Sequence, residues 1–321
     1  MPRLRRSDTA GPGLRRVRRG RGVGYLDANG TPVHDEETLA RIASLAIPPA
    51  WEDVWIAPDP LGHVQATGTD AAGRRQYLYH PAWRTRADRV KHDRALELAA
   101  ALPAARRGVT RDLRSEGLGR DRVLAVAFRM LDAGTLRVGS ERYADENGSY
   151  GLSTLLCRHV RVDGDEVALS FPAKSGQRWA SRLRDPDLAR AMGELARSPR
   201  SRLLAWRDED GRRHPVSAAE INADVRRRTG GDFTAKDFRT LRGTIVAAQH
   251  LARLGPVSTA TARRRAVAAA VRAAADELGN TPAVARASYV DPRVLDRYER
   301  GETIALGGVA PERALRDLLV G

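Results

Sequence analysis

A chain of 321 residues with 42% hydrophobic and 30% charged residues can form one large domain or two ordinary ones, each with its own core. Its 55 Lys and Arg against 40 Asp and Glu give a formal net charge of +15, which favours a polyanionic partner, and duplex nucleic acid is the first candidate. No run approaches the ~20 apolar residues of a membrane-spanning helix, so an integral membrane protein is excluded. Solubility or an anionic membrane surface is the alternative explanation of the charge.

The first 22 residues are strongly basic and contain no apolar stretch that could act as a signal peptide. We predict that residues 1–22 form a disordered arm that can lie along phosphates, with a transit peptide as the alternative. Against one acid, Asp8, the arm carries Arg3, Arg5, Arg6, Arg15, Arg16, Arg18, Arg19 and Arg21.

Residues 23–93 show short strand patterns separated by turns, which predicts a small strand-rich domain. It contains Asn29-Gly30, the strongest short hairpin signal. Further strands are expected at residues 54–56, 63–67 and 76–80, and a helix near residues 36–45 interrupts them.

After residue 93 the chain becomes Ala-rich and helical, which predicts a second domain over residues 94–321 and an α+β fold. Apolar residues at helical spacing predict a helix over residues 121–133, with Gly134 as its stop. Residues 160–179 alternate instead with the period of strands. They predict a three-stranded meander with Lys174 on or beside its second turn.

The C-terminal third is predicted to be helical again. A helix should end at Gly-Asn, residues 279–280, and Thr-Pro at residues 281–282 should begin the next. Asp-Pro at residues 291–292 repeats that signal, so Tyr289 should lie near the end of a short helix, just before a break.

Cysteine and motif usage limit the chemistry that the chain can perform. The single Cys157 excludes an internal disulfide and indicates a reducing cytoplasm. The seven histidines are scattered, without a Cys cluster or His-Glu-x-x-His motif, so we expect no metal and no cofactor. No Gly-Lys dipeptide occurs, which excludes a P-loop for ATP. No pattern such as a heptad seam indicates an oligomer, so we expect a monomer. We expect the protein to lie in the cytoplasm, associated with the nucleoid.

Lysine is rare in this chain: among 55 basic residues only Lys91, Lys174 and Lys236 are lysines. A chain with this bias retains lysine mainly where a guanidinium would fail, because an ammonium can give up its proton and a guanidinium cannot. Leftover surface lysines are the alternative. Lys174 and Lys236 both lie in segments that are dense in other functional residue types.

These residues fit transfer of a phosphoryl group within a DNA strand. A tyrosine hydroxyl can form a reversible phosphate ester, and arginines can neutralise the nonbridging oxygens in place of magnesium. The departing 5′-oxygen needs a proton, which lysine can donate. The chain supplies these parts in Arg137, Lys174, Arg239 and Tyr289, with Asn280 nine residues before the tyrosine.

A series of motifs resembles the type IB DNA topoisomerases, most closely the small bacterial branch that is similar to the poxvirus enzyme. They are IPPAW at residues 47–51, QYLY at 76–79, LRVG at 136–139, YGLSTL at 150–155, RHV at 158–160, TAKDFRT at 234–240, LGNTP at 278–282 and ASYV at 287–290. The resemblance covers roughly residues 23–300 in order. It implies the catalytic fold shared by type IB topoisomerases and tyrosine recombinases.

The resemblance also implies roles for the residues named above. Tyr289 would be the nucleophile, Arg137 and Arg239 would clamp the scissile phosphate, and Lys174 would be the general acid, working with Arg137. Lys236, one helical turn before Arg239, would either hold a phosphate or assist the transfer. The implied activity is relaxation of supercoiled DNA by transient cleavage of one strand through a 3′-phosphotyrosyl ester, strand rotation and religation, without ATP or a required metal.

Two positions depart from the family pattern. Asn280 stands where the viral and eukaryotic members have histidine; asparagine can donate a hydrogen bond to a phosphate oxygen but cannot relay a proton. Leu241 stands where an aromatic residue is usual, and we expect a consequence for packing only.

DNA contacts are expected outside the catalytic set, and the two domains should close around the duplex as a clamp with a hinge near residues 91–94. Tyr77 and Tyr79, two apart on a strand, point to one face beside basic residues, although a place in the core is the alternative. Cys157 and His159 are expected to be structural. The predicted DNA-binding residues are Arg74, Arg75, Gln76, Tyr77, Tyr79, Arg142 and Tyr143.

Two other classes of protein compete with this interpretation. A tyrosine recombinase shares the fold, but such enzymes usually have histidine three residues before the second arginine, where this chain has Lys236. A non-catalytic nucleoid-binding protein would explain the charge but not the order of Lys174 and Tyr289. Relaxation in EDTA without ATP separates them, because a recombinase needs paired sites and a binding protein relaxes nothing.

Overall fold

The computed structural model describes residues 2–20 and 22–321, so Arg21 of the predicted arm lies outside the described residues. The chain divides into two compact units, Met1–Val90 and Lys91–Gly321, close to the predicted boundary after residue 93. Within the described residues, no helix is both long enough and apolar enough to cross a membrane.

A five-stranded antiparallel sheet dominates the first unit, in the order β2-β1-β3-β4-β5, so the predicted strand-rich character is confirmed. One face of this sheet packs on a small core that includes Ile42, Val54 and Ile56. The elements are β1 (Leu14–Arg19), β2 (Gly22–Leu26), α1 (Glu36–Ser44), β3 (Glu52–Ile56), β4 (Val64–Thr69) and β5 (Arg75–Tyr79).

The prediction of a disordered arm is wrong for residues 14–19, which form β1 between β2 and β3. Leu14 is buried in the small core, and Arg16 donates to the carbonyl oxygens of Pro48 at 3.0 Å and of Trp51. Farther upstream, the backbone of Arg5 pairs with the chain on either side of Gly62. Charge alone indicated disorder, but ladder hydrogen bonds, a core leucine and carbonyl acceptors for a guanidinium outweigh repulsion between arginines.

The second unit is mainly helical, and its first helix begins within the first unit. This helix, α2 (Pro81–Leu113), runs through residues 91–94, where a hinge was expected. The other helices are α3 (Arg120–Gly134), α4 (Glu141–Asn147), α5 (Pro186–Leu195), α6 (Ala218–Thr229), α7 (Ala235–Leu254), α8 (Ala260–Leu278), α9 (Pro282–Ser288), α10 (Pro292–Glu299) and α11 (Pro311–Val320).

The predicted meander is confirmed as an antiparallel sheet in the order β6-β7-β8. It consists of β6 (Val160–Asp163), β7 (Glu166–Pro172) and β8 (Arg178–Arg184). Val167, Leu169 and Phe171 of β7 alternate into the core of the unit, as a period of two requires. A small hairpin of β9 (Ala205–Arg207) and β10 (Arg213–Pro215) was not anticipated, since strands of three residues carry little periodicity.

Helix α7 crosses the middle of the core. Its Phe238 meets Phe128 of α3 edge to face, with ring centroids 5.3 Å apart, while α8 packs along the same helix. Leu241, the departure from the family pattern, is buried in this core, in agreement with a role in packing. With a five-stranded sheet in the first unit and a mainly helical second unit that contains a three-stranded sheet, the predicted α+β class is confirmed.

Helix ends fall close to the predicted positions. The helix α8 ends at Gly279 in the left-handed region (φ 56°), and Thr281 accepts from the Val284 N–H to begin α9. The helix α3 includes Gly134, contrary to its predicted stop, and ends instead at Thr135, a non-glycine residue with φ 53°.

Candidate active site

The loop that carries Arg137 is fixed by a close approach of two glycines. A Cβ atom on Gly151 would lie 2.5 Å from Cα of Gly139 and 2.9 Å from the carbonyl oxygen of Arg137. The backbone bonds from Leu152 N–H to Arg137 O and from Ser153 N–H to Val138 O, of 2.9 and 2.7 Å, close the contact. Gly139 has φ 98°, a conformation that glycine adopts without strain. The local fold therefore sets the direction of Arg137 before any ligand binds.

Arg239 lies on the first turns of α7 and is almost completely buried, with 3% exposure. Its guanidinium donates to the carbonyl oxygens of Thr135 and of Leu278, the latter at 2.8 Å. These carbonyls belong to the C-terminal ends of α3 and α8, where the helix dipole favours a cation. Burial first, and then the charge of Arg137, lower the pKa of Arg239.

Tyr289 is half-buried at the end of α9, just before α10, as the sequence predicts. Cζ of Arg239 lies 5.1 Å from the centroid of its ring. Burial alone would raise the pKa of the phenol, but the charges of Arg239, Arg137 and Lys236, with a hydrogen bond from Arg239, outweigh burial and lower it. The surroundings therefore make this phenol easier to ionise than an ordinary tyrosine.

Arg137 and Asn280 are joined by a hydrogen bond of 2.6 Å from the guanidinium to Oδ1 of the amide. That bond turns Nδ2 of Asn280 away from Arg137. Among the described residues, Nδ2 of Asn280 and Nε of Arg239 are buried donors without a hydrogen-bond partner. Two unpaired buried donors, one of them on a buried guanidinium, are costly in a folded protein unless an acceptor binds there.

Lys174 lies in a single 3-10 turn, Lys174–Gly176, between β7 and β8, and its side chain is exposed. It lines a cavity of about 260 Å³ together with Arg137 and Tyr143. Lys236, on the first turn of α7, is also exposed and contributes to the positive field at Tyr289. The structure thus brings Arg137, Arg239 and Asn280 into one cluster with Tyr289.

Of the predicted DNA-binding residues in the first unit, three lie on one exposed face of β5: Arg75, Tyr77 and Tyr79. The two tyrosine rings are stacked with centroids 6.2 Å apart, and Cζ of Arg75 is 5.8 Å from the Tyr77 ring. Gln76 points to the other side and donates to Asp70 at 2.8 Å, and Arg74 pairs with the same carboxylate.

In the second unit, the predicted DNA-binding residues lie on α4. Arg142 is exposed and forms an ion pair with Glu146 at 2.9 Å, whereas Tyr143 faces the cavity that Lys174 lines. Cys157 and His159 are buried, and the ring of His159 packs edge to face on Tyr150 with centroids 4.5 Å apart.

Sequence reasoning missed the residues that hold the site together. The carbonyls of Thr135 and Leu278 carry no side-chain signal, because any residue offers a backbone acceptor. The contact of Gly139 with Gly151 could have been suspected from two glycines in neighbouring motifs, of which Gly139 follows Arg137 by two positions.

Residues 80–303 match the family described as eukaryotic DNA topoisomerase I, catalytic core, which covers more than half of the chain. Residues 22–70 match the family described as bacterial DNA topoisomerase IB, N-terminal domain. The chain therefore belongs to the type IB DNA topoisomerase family, and the resemblance seen in its motifs is confirmed.

Individual relatives agree with that assignment. A DNA topoisomerase 1B of Acanthamoeba polyphaga mimivirus is 32% identical over 269 residues, 81% of this chain and 80% of the viral protein. The DNA topoisomerase 1B of vaccinia virus (strain Copenhagen) is 26% identical over 125 residues, 39% of each chain. A DNA topoisomerase 1 of Mycosarcoma maydis is 24% identical over 194 residues, 54% of this chain but 19% of the fungal one. The chain is thus an enzyme of the isomerase class that acts on DNA topology.

Proposed function

We propose that this enzyme relaxes supercoiled duplex DNA by cleaving one strand through a 3′-phosphotyrosyl ester at Tyr289. The free 5′-end then rotates about the intact strand, and the same ester is attacked to reseal the break. The ester conserves the energy of the phosphodiester, so the cycle needs no ATP. The fold that carries the chemistry is proposed to be the one shared with tyrosine recombinases.

One observation supports this proposal above the others: a half-buried tyrosine lies against a buried arginine beside unpaired donors. Nε of Arg239 and Nδ2 of Asn280 have no partner among the described residues, while Arg137 holds the amide in place. A nonbridging phosphate oxygen would satisfy both donors and neutralise the guanidinium charge.

The proposed cleavage step exchanges one phosphodiester bond for another. Oη of Tyr289 gives its proton to solvent and bonds to phosphorus as the bond from phosphorus to the 5′-oxygen breaks. Arg137, Arg239 and Asn280 bind the nonbridging oxygens, whose charge grows in the transition state. Lys174 protonates the departing 5′-oxygen, and in religation it takes that proton back. No metal ion is required, because the arginines supply the positive charge.

Binding is proposed to be electrostatic, with the two units closing around the duplex as a clamp. The exposed face of β5, with Arg75 and its two tyrosines, and the α4 pair Arg142 and Tyr143 would contact the DNA backbone. A monomer would be sufficient, and the enzyme would act on the nucleoid in the cytoplasm.

The test is relaxation of a negatively supercoiled plasmid in EDTA without ATP, by wild type and by Tyr289→Phe. We expect relaxation by wild type only, a covalent adduct with the 3′ side of the break when the reaction is stopped with detergent, and nearly equal duplex binding by both proteins. Relaxation by Tyr289→Phe, or an adduct with the 5′ side, would refute the proposed nucleophile and polarity.

A further inference from the structure

We propose that Gly243 and Thr244, which follow Arg239 on α7, are positioning residues that set the backbone of Tyr289 and so hold its phenol against Arg239. This inference rests on the proposed function, in which Tyr289 is the nucleophile. Neither residue would touch the phosphate. They act by joining the helix that carries the phosphate-binding arginine to the segment that carries the nucleophile.

Thr244 contributes hydrogen bonds to this connection. Its Oγ1 lies 3.0 Å from the carbonyl oxygen of Tyr289 and accepts from the N–H of Asp291 at 3.1 Å. Oγ1 also lies 2.9 Å from the carbonyl oxygen of Thr240 in the preceding turn, so the one hydroxyl proton has two acceptors within reach. The side chain is 2% exposed, so these bonds form away from solvent, where losing them is most costly.

Gly243 contributes by having no side chain where α7 and the Tyr289 segment approach each other. A Cβ atom at this position would lie 3.0 Å from the carbonyl oxygen of Tyr289, 3.1 Å from its Cβ and 2.9 Å from Cδ1 of Leu278. Such distances are shorter than ordinary van der Waals contact, so even a methyl group would push the tyrosine away from α7. Glycine lets the two backbones approach closely enough for the bond from Thr244 to form.

The position of Tyr289 explains why it needs this support. It caps α9, a helix of seven residues, and its N–H bonds to the carbonyl oxygen of Ala285 at 2.9 Å. Two residues later, Asp291 caps α10. A residue between two short helices has little rigidity of its own, and a displacement of about 1 Å at a reacting group can cost ~100-fold in rate.

The first experiment removes the hydroxyl without changing the volume of the side chain. Single-turnover cleavage of a duplex oligonucleotide at saturating enzyme should be at least ~10-fold slower for Thr244→Val, whereas Thr244→Ser, which keeps the hydroxyl, should recover most of the rate. Duplex affinity should be the same for all three proteins. The matched control is Thr229→Val at the end of α6, which removes a hydroxyl bonded to the carbonyl oxygen of Val225 and should cleave like wild type.

The second experiment fills the space at α7. Gly243→Ala should also slow single-turnover cleavage at least ~10-fold with unchanged duplex affinity. Alanine is the better helix former, so weakening of the helix cannot explain the loss. Gly193→Ala is the matched control, because it lies within α5 and an added Cβ would meet no atom of the described residues within 4 Å.

The outcomes separate this inference from the function on which it rests. If wild type forms no covalent adduct with DNA, the proposed function fails. If wild type cleaves and both Thr244→Val and Gly243→Ala cleave at its rate, the positioning role is overturned alone. If Thr244→Val melts far below wild type, its cleavage rate is set aside. The cleavage rates of Thr244→Ser and Gly243→Ala then decide whether the two residues position Tyr289. Equal losses of rate in Thr244→Val and Thr244→Ser would also overturn the role of the hydroxyl.

Discussion

The hydrogen bond from Arg137 to Oδ1 of Asn280 decides which end of the amide faces the site. An amide can present either a donor or an acceptor, and here the acceptor is already occupied at 2.6 Å. Nδ2 is left as a buried donor with no partner among the described residues. In the proposed function asparagine is sufficient at this position, because it has only to donate a hydrogen bond to a phosphate oxygen.

Replacing this donor by an acceptor should be severe. Asn280→Asp keeps an oxygen for Arg137 but directs a second oxygen at the phosphate, so cleavage should fall at least ~100-fold, as for loss of a transition-state donor. Asn280→His, which can donate again, should retain most of the rate. Single-turnover cleavage measures both, and a ranking in which Asp exceeds His would contradict the assigned role.

Lys174 can be tested through the leaving group. Lys174→Arg should keep the charge but lose the transferable proton, slowing cleavage by ~10²- to 10⁴-fold. A substrate with sulfur in place of the 5′-oxygen needs no proton, so wild type and variant should cleave it almost equally. Failure of the sulfur substrate to rescue the variant would make Lys174 a phosphate-binding charge only.

Lys236 is the comparison for that experiment, because both lysines are exposed; Lys174 lines a cavity with Arg137, and Lys236 adds positive charge at Tyr289. Lys236→Arg should retain more activity than Lys174→Arg on the ordinary substrate, since its expected contribution is positive charge. The reverse ranking would mean that the two lysines exchange roles.

The pH dependence of cleavage should report Tyr289. Burial opposes ionisation, but Arg239, Arg137 and Lys236 together lower the pKa of the phenol. In the proposed mechanism the phenolate attacks phosphorus, so the rate should rise with pH through this pKa and level off at a lower pH than for an ordinary tyrosine. Lys236→Met removes one of the positive charges and should raise the pKa, moving the rising limb to higher pH. The sulfur substrate should be used for this measurement, because its leaving group needs no acid. If the rising limb of the pH profile does not move in Lys236→Met, the limb does not report the ionisation of Tyr289.

The contact between glycines behind Arg137 should tolerate no side chain. A Cβ at Gly151 would lie 2.5 Å from Cα of Gly139, so Gly151→Ala should destabilise the protein by about 1–3 kcal/mol, the usual cost of overpacking. It should also slow cleavage by displacing Arg137. Thermal unfolding and single-turnover rates measure the two effects. Gly108→Ala in α2, where an added Cβ has no neighbour within 4 Å in the part of the chain that the structure describes, should show neither effect.

Affinity for duplex DNA should depend steeply on salt. If about six phosphates are neutralised, log K should fall with log salt with a slope near −5, and Arg75→Ala should reduce the slope by ~0.9. Filter binding or fluorescence anisotropy across a salt series checks this. A flat response would remove DNA as the explanation of the net charge of +15.

Local chemistry made much of the fold predictable. The helix ends at Gly279 and Thr281 depend on the conformation and capping of single residues, and the alternation through Phe171 depends on the period of a strand. Each of these signals depends on only a few neighbouring residues. They were sufficient to predict that Lys174 lies on a turn and Tyr289 at a helix end.

The remainder depends on contacts between distant segments. The acceptors of Arg239 are backbone carbonyls of Thr135 and Leu278, 104 and 39 residues away, and no side-chain pattern reveals them. Thr244 likewise reaches a carbonyl 45 residues away. The disorder expected of the N-terminal arginines failed for the same reason, because the partners of Arg16 lie in a loop beyond α1.

The place of β1 in its sheet has a practical consequence for where the protein can be cut. The family match to the N-terminal domain begins at residue 22, yet β1 lies upstream and separates β2 from β3. A shortened protein that starts at the family boundary would lose an interior strand and leave β2 without a neighbour in the sheet. Two ladders of backbone donors and acceptors would be opened to water, and Leu14 would be missing from the core. Removing the basic start of this chain would therefore disrupt the sheet, because it removes an interior strand and not a disordered tail.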